Sequence, residues 1–125
     1  MVPTGRGGMP GPRDGSGGRS GGRSGPRFGM AVVRGRSMQP TLYDGDRLLV
    51  DYRRPVRPRG LVVVRLPDGV VAVKRATRRE PGGWWVERDN PHEGVDSWTV
   101  GAVADVDVLG VVLLRVWPLV RRPHR

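Results

Sequence analysis

The 125-residue sequence contains no cysteine and only two histidines. The lack of cysteine excludes disulfides, thiolate metal sites and a cysteine nucleophile. Two histidines without cysteine make no convincing zinc site, so we expect neither a metal nor a cofactor. Long apolar runs are also missing, because the run over residues 108–120 is short and interrupted by Arg115 and Pro118. We therefore expect a protein with no membrane span, located in the cytoplasm.

Residues 1–29 have little apolar side-chain surface. They hold eleven glycines and five arginines, with Phe28 as the sole aromatic residue. Burial of so few apolar groups cannot offset the conformational entropy lost on ordering. The segment also lacks the apolar stretch of a secretory signal. We predict a disordered Gly/Arg-rich tail over residues 1–29, one domain over residues 30–120, and a basic C-terminal end over residues 121–125.

From Met30 onward the pattern is that of β-strands. Valine-rich runs are separated by Gly, Pro, Asp and Asn, and no stretch keeps helical periodicity for three turns. Pro67-Asp68-Gly69 and Pro81-Gly82-Gly83 have the composition of tight turns. We predict an all-β fold, a small antiparallel β barrel or sandwich. The predicted strands are Ala31–Arg34, Arg47–Tyr52, Leu61–Leu66, Val70–Arg78, Trp84–Arg88 and Val106–Val116.

The chain has 22 basic residues, and Lys74 is the only lysine among them. Where arginine is used so heavily, a retained lysine suggests chemistry that arginine cannot perform, namely release of its proton. In the predicted strand, Val70, Ala72, Lys74 and Ala76 share one face by period-two alternation. An amine among small apolar side chains loses solvation, which favours its neutral form.

Ser37 follows a short predicted strand and lies between Gly35 and Pro40, in a turn-forming segment. A rigid bend of this kind exposes a hydroxyl beside free backbone N–H groups, as an oxyanion hole requires. The predicted domain has one other serine, Ser97.

The order of these features resembles the successive sequence boxes of the type I signal peptidase-like family of Ser/Lys-dyad peptidases (peptidase S26/S24). The similarity extends over about residues 32–117. It rests on Ser37-Met38-Gln39-Pro40-Thr41-Leu42, Gly45-Asp46, Val73-Lys74-Arg75, Asp89-Asn90-Pro91, Asp96-Ser97 and Gly101. The resemblance implies a β fold of the signal-peptidase/LexA-like type and serine endopeptidase activity.

The resemblance also implies the roles of individual residues. Ser37 would be the nucleophile and Lys74 the general base. The backbone N–H of Ser37, with a contribution at Gly35, would bind the oxyanion, and Met38 would support the same turn.

Three further residues are implied as supporting groups. Asp96 would order the neighbourhood of Arg75 and Lys74, and the hydroxyl of Ser97 would assist.

Two positions depart from the family pattern, since signal peptidases usually have serine where Gly94 stands and arginine where Trp98 stands. The spacing between Lys74 and Asp89 is also short, with 14 residues between them. A compact version without an anchor is most similar to the maturation protease of nickel-type superoxide dismutase. This similarity implies a protein partner as substrate, a flexible N-terminal propeptide that is removed so that the nickel-binding hook becomes the amino terminus.

Four alternatives remain at the level of the sequence. General processing of pre-proteins and a LexA-like self-cleaving domain use the same dyad, although residues 1–36 hold no Ala-Gly or Cys-Gly cleavage pair. A triad of Ser37 with His92 is conceivable. A non-enzymatic nucleic-acid binder would use the Arg-Gly segments of the tail to contact phosphates, but one aromatic residue offers little stacking surface.

Overall fold

The computed structural model describes residues 2–4 and 25–120. Its strands are β1 (Val2–Thr4), β2 (Phe28–Val32), β3 (Arg47–Asp51), β4 (Leu61–Arg65), β5 (Val71–Glu80), β6 (Gly83–Glu87), β7 (Val103–Ala104) and β8 (Val108–Trp117). One short helix, α1 (Ser97–Val100), and a 3-10 turn (Asp105–Asp107) lie between β6 and β8.

The strands form one antiparallel sheet in the order β1-β2-β3-β8-β4-β5-β6-β7. Register shifts between neighbouring strands bend it, and the sheet curls into a half-barrel. The predicted all-β fold is confirmed, and each of the six predicted strands overlaps an observed one. The short strands β1 and β7 carry too little pattern to be read from the sequence.

Both faces of the sheet bury apolar side chains. In β4, Val62 and Val64 pack in one cluster and Val63 packs in the other, which explains a continuous valine run in a central strand. The first cluster consists of Ala31, Val33, Met38, Leu42, Leu48, Val50, Tyr52, Val63 and Val73. The second consists of Val62, Val64, Leu66, Ala72, Ala76, Trp84, Val86, Val103, Val108 and Val111.

The two predicted turns are present. In the β4–β5 turn, Asp68 Oδ1 accepts from the Val70 N–H at 2.9 Å, and Gly69 has a φ of +89°. Gly82 has a φ of +76° in the β5–β6 turn. These turns set the register of β5, the strand that carries Lys74.

The predicted tail and C-terminal end lie largely outside the described residues. Strand β2 begins at Phe28, so the predicted domain start at residue 30 falls inside a strand. Within residues 2–4 and 25–120, no helix is long and apolar enough to cross a membrane.

Arg27 ties the chain before β2 to the end of β3. Its guanidinium donates two hydrogen bonds, of 3.0 and 2.9 Å, to the fully buried carboxylate of Asp51. Asp51 also accepts from the backbone N–H of Arg53 at 2.9 Å. The hydrogen bonds from Arg27 hold the pKa of Asp51 at about 2, although burial opposes this. The segment just before β2 is therefore an anchored part of the fold.

Replacing Arg27 by alanine is expected to lower the free energy of unfolding at pH 7, because the buried Asp51 carboxylate loses two hydrogen bonds, although Arg54 remains 3.6 Å from it. Because the pKa of Asp51 is lower in the folded protein, its ionisation stabilises the fold at pH values above the ordinary carboxyl pKa. This stabilisation is lost as the pH falls towards 2. Urea unfolding at pH 7 and at pH 2 measures this, with the exposed Arg34→Ala as control. A deficit of equal size at both pH values would contradict the ion-pair explanation.

Candidate active site

The turn that carries Ser37 lies between β2 and β3 and is held at both ends. The backbone N–H groups of Val33 and Gly45 donate to the carbonyls of Asp46 and Val33, each at 2.8 Å. Within the turn, Leu42 N–H donates to the Met38 carbonyl at 2.8 Å, and the Met38 side chain is buried in the core. Ser37 is half-buried beside it. The burial of Met38 therefore fixes the position of a serine that remains partly open to solvent.

Lys74 lies in β5, opposite Val62 of β4. Its side chain is 2% exposed, and its neighbours on the same face, Ala72 and Ala76, are buried. The predicted apolar face is thus present, except that Val70 precedes the strand and is exposed. Lys74 Nζ donates to Ser37 Oγ across 3.3 Å. The fold therefore brings together the two residues predicted to form the dyad, from positions 37 residues apart.

The environment of Lys74 lowers the pKa of its amine. Burial is the largest cause, and the positive charge of Arg88 acts in the same direction. The negative charge of Asp96 raises the pKa and offsets part of this effect. Because burial dominates, the neutral amine is easier to form here than on an exposed lysine.

Arg75, the residue after Lys74, pairs with Asp89. Two hydrogen bonds of 2.9 and 2.7 Å join its guanidinium to the two carboxylate oxygens, and Thr41 Oγ1 donates to the same carboxylate. Burial alone would raise the pKa of Asp89, but the hydrogen bonds from Arg75 and Thr41 hold it below its usual range. This network connects β5, the chain after β6 and the turn that carries Ser37.

Asn90 binds the serine turn directly. Its backbone N–H donates to the Ser37 carbonyl at 2.8 Å, and its side-chain amide donates to the Arg36 carbonyl at 2.9 Å. Asp89 N–H points at the sulfur of Met38, at 3.4 Å. Residues 89 and 90 therefore dock the segment after β6 onto the dyad.

Gly94 lies against the dyad. A Cβ placed on it would be 2.5 Å from Ser37 Cβ and 3.4 Å from Lys74 Nζ, and its φ is +95°. A side chain at this position would both clash with Ser37 and strain the backbone. The glycine that departs from the signal-peptidase pattern is therefore required by this packing.

Asp96 and Ser97 are both buried. Asp96 caps α1 by accepting from Trp98 N–H at 3.1 Å, and it accepts from the Arg88 backbone N–H at 3.3 Å. It acts on Lys74 through its charge, whereas Arg75 takes Asp89 as its partner. Ser97 Oγ accepts from the Val86 N–H at 2.9 Å, which joins α1 to β6.

Trp98 stacks edge-to-face on Trp85, with ring centroids 5.0 Å apart. Its indole N–H donates to Glu87 at 3.2 Å, and 71% of its surface is exposed. At this position the chain therefore has an exposed aromatic cluster.

The oxyanion donors differ in availability. Gly35, with a φ of +84°, donates its N–H to Asp44 Oδ1 at 2.7 Å, so this N–H already has a partner. Among residues 2–4 and 25–120, no acceptor is found for the backbone N–H of Ser37. The Ser37 N–H is therefore a donor that a developing oxyanion could use.

Among residues 2–4 and 25–120, His92 makes no hydrogen bond to Ser37. His92 is exposed, and the described part of the chain holds no group of three His, Asp or Glu side chains placed to bind a metal ion. A cleft of about 520 Å³ lies elsewhere and is not lined by Ser37 or Lys74. The walls of this cleft include Arg54, Trp84 and Val108. The contact between Ser37 and Lys74 and the lowered pKa of Lys74 make the dyad, not the cleft, the candidate active site.

Thr41, Asp89 and Asn90 stand within the sequence motifs, but the motifs predict no role for them, and no sequence feature indicates Arg88. Arginine at position 75 offered a signal, because a charge next to a buried lysine needs a nearby carboxylate. The sequence could not show which of several aspartates supplies it.

Residues 21–113 match the family described as Peptidase S24-like. No curated protein matches the chain. The matched range includes the serine turn, Lys74 and the segment of residues 88–98 that packs on them.

Proposed function

The chain belongs to the Peptidase S24-like family, and from this we propose that it is a serine endopeptidase in which Ser37 is the nucleophile and Lys74 the general base. The observation that carries the assignment is the 3.3 Å contact between Lys74 Nζ and Ser37 Oγ, made by a lysine that is 2% exposed. A nucleophile within hydrogen-bond reach of a base whose protonated form is disfavoured is the arrangement that nucleophilic catalysis needs.

The chemical steps follow from that contact. As Ser37 Oγ forms a bond to the scissile carbonyl carbon, its proton passes to the neutral amine of Lys74. Collapse of the tetrahedral intermediate breaks the C–N bond, and the leaving nitrogen takes this proton, which leaves an acyl ester on Ser37. Water then attacks the ester with Lys74 again as base, releasing the carboxylate and restoring the serine. The Ser37 N–H would stabilise the oxyanion in both steps.

The edge of β5 beside Lys74 supports binding of an extended peptide. Strand β6 pairs with β5 from Arg75 to Glu80, and β4 covers the other edge of the residues before Lys74. Residues 72–74 of β5 lie before the first residue that pairs with β6. A substrate strand added there would place its backbone beside the dyad, with alternate side chains facing the protein.

We propose that the substrate is a flexible N-terminal propeptide of another protein. The propeptide of nickel-type superoxide dismutase is the specific candidate, supported by the resemblance described above; the nickel would belong to that substrate. Only a flexible segment can adopt the extended conformation that strand addition requires.

Mass spectrometry of a nickel superoxide dismutase precursor incubated with the protein tests this proposal. We expect one cleavage that leaves the metal-hook sequence first, and no cleavage with Ser37→Ala. An intact precursor, beside efficient cleavage of an ordinary signal peptide, would replace the propeptide substrate with general pre-protein processing. If neither substrate is cleaved, the proposal that the protein processes another protein fails.

Self-cleavage is the second candidate function, and the match to the Peptidase S24-like family supports it. The purified protein incubated alone distinguishes the two. If the fraction of protein cleaved per unit time does not change with protein concentration, cleavage occurs within one chain.

Activity should rise with pH as Lys74 loses its proton. Since burial lowers the pKa of this amine from 10.5, the rise is expected at a pH below that value. Lys74 is the only lysine, so NMR of protein carrying ¹³C-labelled lysine reports its titration as a single signal. The denatured protein is the control and should titrate at the ordinary value. A folded-state titration at or above the denatured one would contradict the role of Lys74 as base.

A further inference from the structure

Arg88 closes the segment that lies on the dyad. Its guanidinium donates to the Gly94 carbonyl at 2.7 Å and to the Pro91 carbonyl at 3.0 Å. Its backbone N–H donates to Asp96 at 3.3 Å. We call residues 90–95, which lie between Asp89 and Asp96, the dyad loop. One side chain thus binds the dyad loop at two points, near its start and near its end.

The dyad loop touches the nucleophile from two sides. Asn90 N–H holds the Ser37 carbonyl, and the backbone of Gly94 is in such close contact that an added Cβ would lie 2.5 Å from Ser37 Cβ. A shift of the loop would therefore free the Ser37 side chain and open the space above Lys74 to water.

We propose that Arg88 is a positioning residue, whose guanidinium holds the dyad loop against Ser37 and so keeps the Ser37 hydroxyl on Lys74 Nζ. This inference rests on the proposed peptidase function and adds a residue to it. The guanidinium fork can bind two carbonyls at once, which an ammonium group cannot do with the same geometry.

Like the burial of its amine, the positive charge of Arg88 lowers the pKa of Lys74. Burial and Arg88 disfavour the protonated amine, and Asp96 favours it. Asp89 is neutralised by its ion pair with Arg75, and His92 and Glu93 of the dyad loop are exposed. The cross-strand neighbour of Lys74 is the apolar Val62. Loss of Arg88 should therefore raise the pKa of Lys74 both by removing a positive charge and by admitting water.

The test compares Arg88→Gln and Arg88→Lys with wild type, in the full chain. Arg78→Gln is the matched control, because Arg78 is an exposed arginine of the same hairpin that pairs with Glu80. Cleavage of a peptide that spans the bond identified by mass spectrometry gives kcat and KM at several pH values. The Lys74 signal, which is the only lysine signal in wild type and in the glutamine variants, gives the titration of Lys74 without any substrate.

For Arg88→Gln we expect a fall in kcat of about tenfold or more, with a smaller change in KM, as positioning effects produce. We also expect the lysine titration to move to higher pH. Arg88→Lys keeps the charge and adds a second lysine signal, so its Lys74 signal is the one that wild type also shows; that signal should titrate close to wild type, but kcat should remain lowered because one carbonyl contact is lost. Arg78→Gln should match wild type in every measurement.

The outcomes separate this inference from the function on which it rests. If wild type cleaves the peptide and Arg88→Gln matches it in kcat and in lysine titration, Arg88 has no positioning role. Full activity of Arg88→Lys would likewise overturn the proposed clamp, since charge alone would then suffice. If wild type cleaves nothing, the peptidase proposal fails, while an unchanged lysine titration in Arg88→Gln would still overturn the inference about Arg88.

Discussion

Replacing Ser37 by alanine should abolish peptidase activity while leaving the fold intact. In the proposed mechanism the hydroxyl supplies the bond-forming oxygen, and in the structure it accepts the hydrogen bond of Lys74 Nζ. Loss of a nucleophile of this kind lowers kcat by about a thousandfold or more. The substitution removes one hydrogen bond at a half-buried site, so the free energy of unfolding should change by about 1 kcal/mol or less.

Ser97→Ala is the matched control for this experiment. Ser97 is the other serine of the folded domain, and its buried hydroxyl accepts from the Val86 N–H. Its replacement should cost stability, about 1–3 kcal/mol for a buried donor left without a partner, while leaving the nucleophile in place. Activity measured beside thermal unfolding separates the two variants. If Ser37→Ala retains cleavage and Ser97→Ala loses it, Ser37 is not the nucleophile.

Lys74→Arg should be as inactive as Ser37→Ala, although it preserves the positive charge. Guanidinium does not give up its proton in proteins, so arginine cannot accept the proton of Ser37. Its larger head must also fit where Lys74 is 2% exposed and lies beside Gly94. Single-turnover cleavage at pH 7 and at pH 10 measures the loss, which should not be recovered at the higher pH.

Lys74→Met controls for folding in this second experiment. A lysine whose pKa is lowered in the folded state costs stability at every pH below its unfolded value, because folding must disfavour the bound proton. Methionine has a similar length and no charge, so Lys74→Met should be at least as stable as wild type at pH 7 and inactive. An active Lys74→Met would exclude Lys74 as base and would favour a triad of Ser37 with His92.

The strands and turns could be predicted because their causes are local. The valine run of β4 is buried on both faces, and Gly69 and Gly82 adopt the positive φ that their turn positions need. Strand β1 could not be predicted from so short a segment, since its pairing with β2 depends on residues distant in sequence.

The dyad was predictable for a different reason. Lys74 is the only lysine, it alternates with Ala72 and Ala76, and Ser37 stands in a turn whose composition favours a rigid bend. Both residues also stand in boxes that resemble those of a known family. The supporting residues were harder to predict from the sequence. The aspartates at positions 89 and 96 are equivalent by residue type, and only the fold decides which one faces Arg75.

The sequence predicted Ser37 and Lys74 as a dyad through its resemblance to a known family, and by itself it determined the β character of this protein and its turns. These follow from alternation, backbone preferences and residue chemistry, which act over a few neighbouring positions. The tertiary structure alone decided that Asp89 neutralises Arg75, that Gly94 packs on Ser37, and that Arg88 holds the dyad loop over both. Such contacts depend on which segments the sheet brings within a few ångströms of each other, and this distance is not encoded in any one segment.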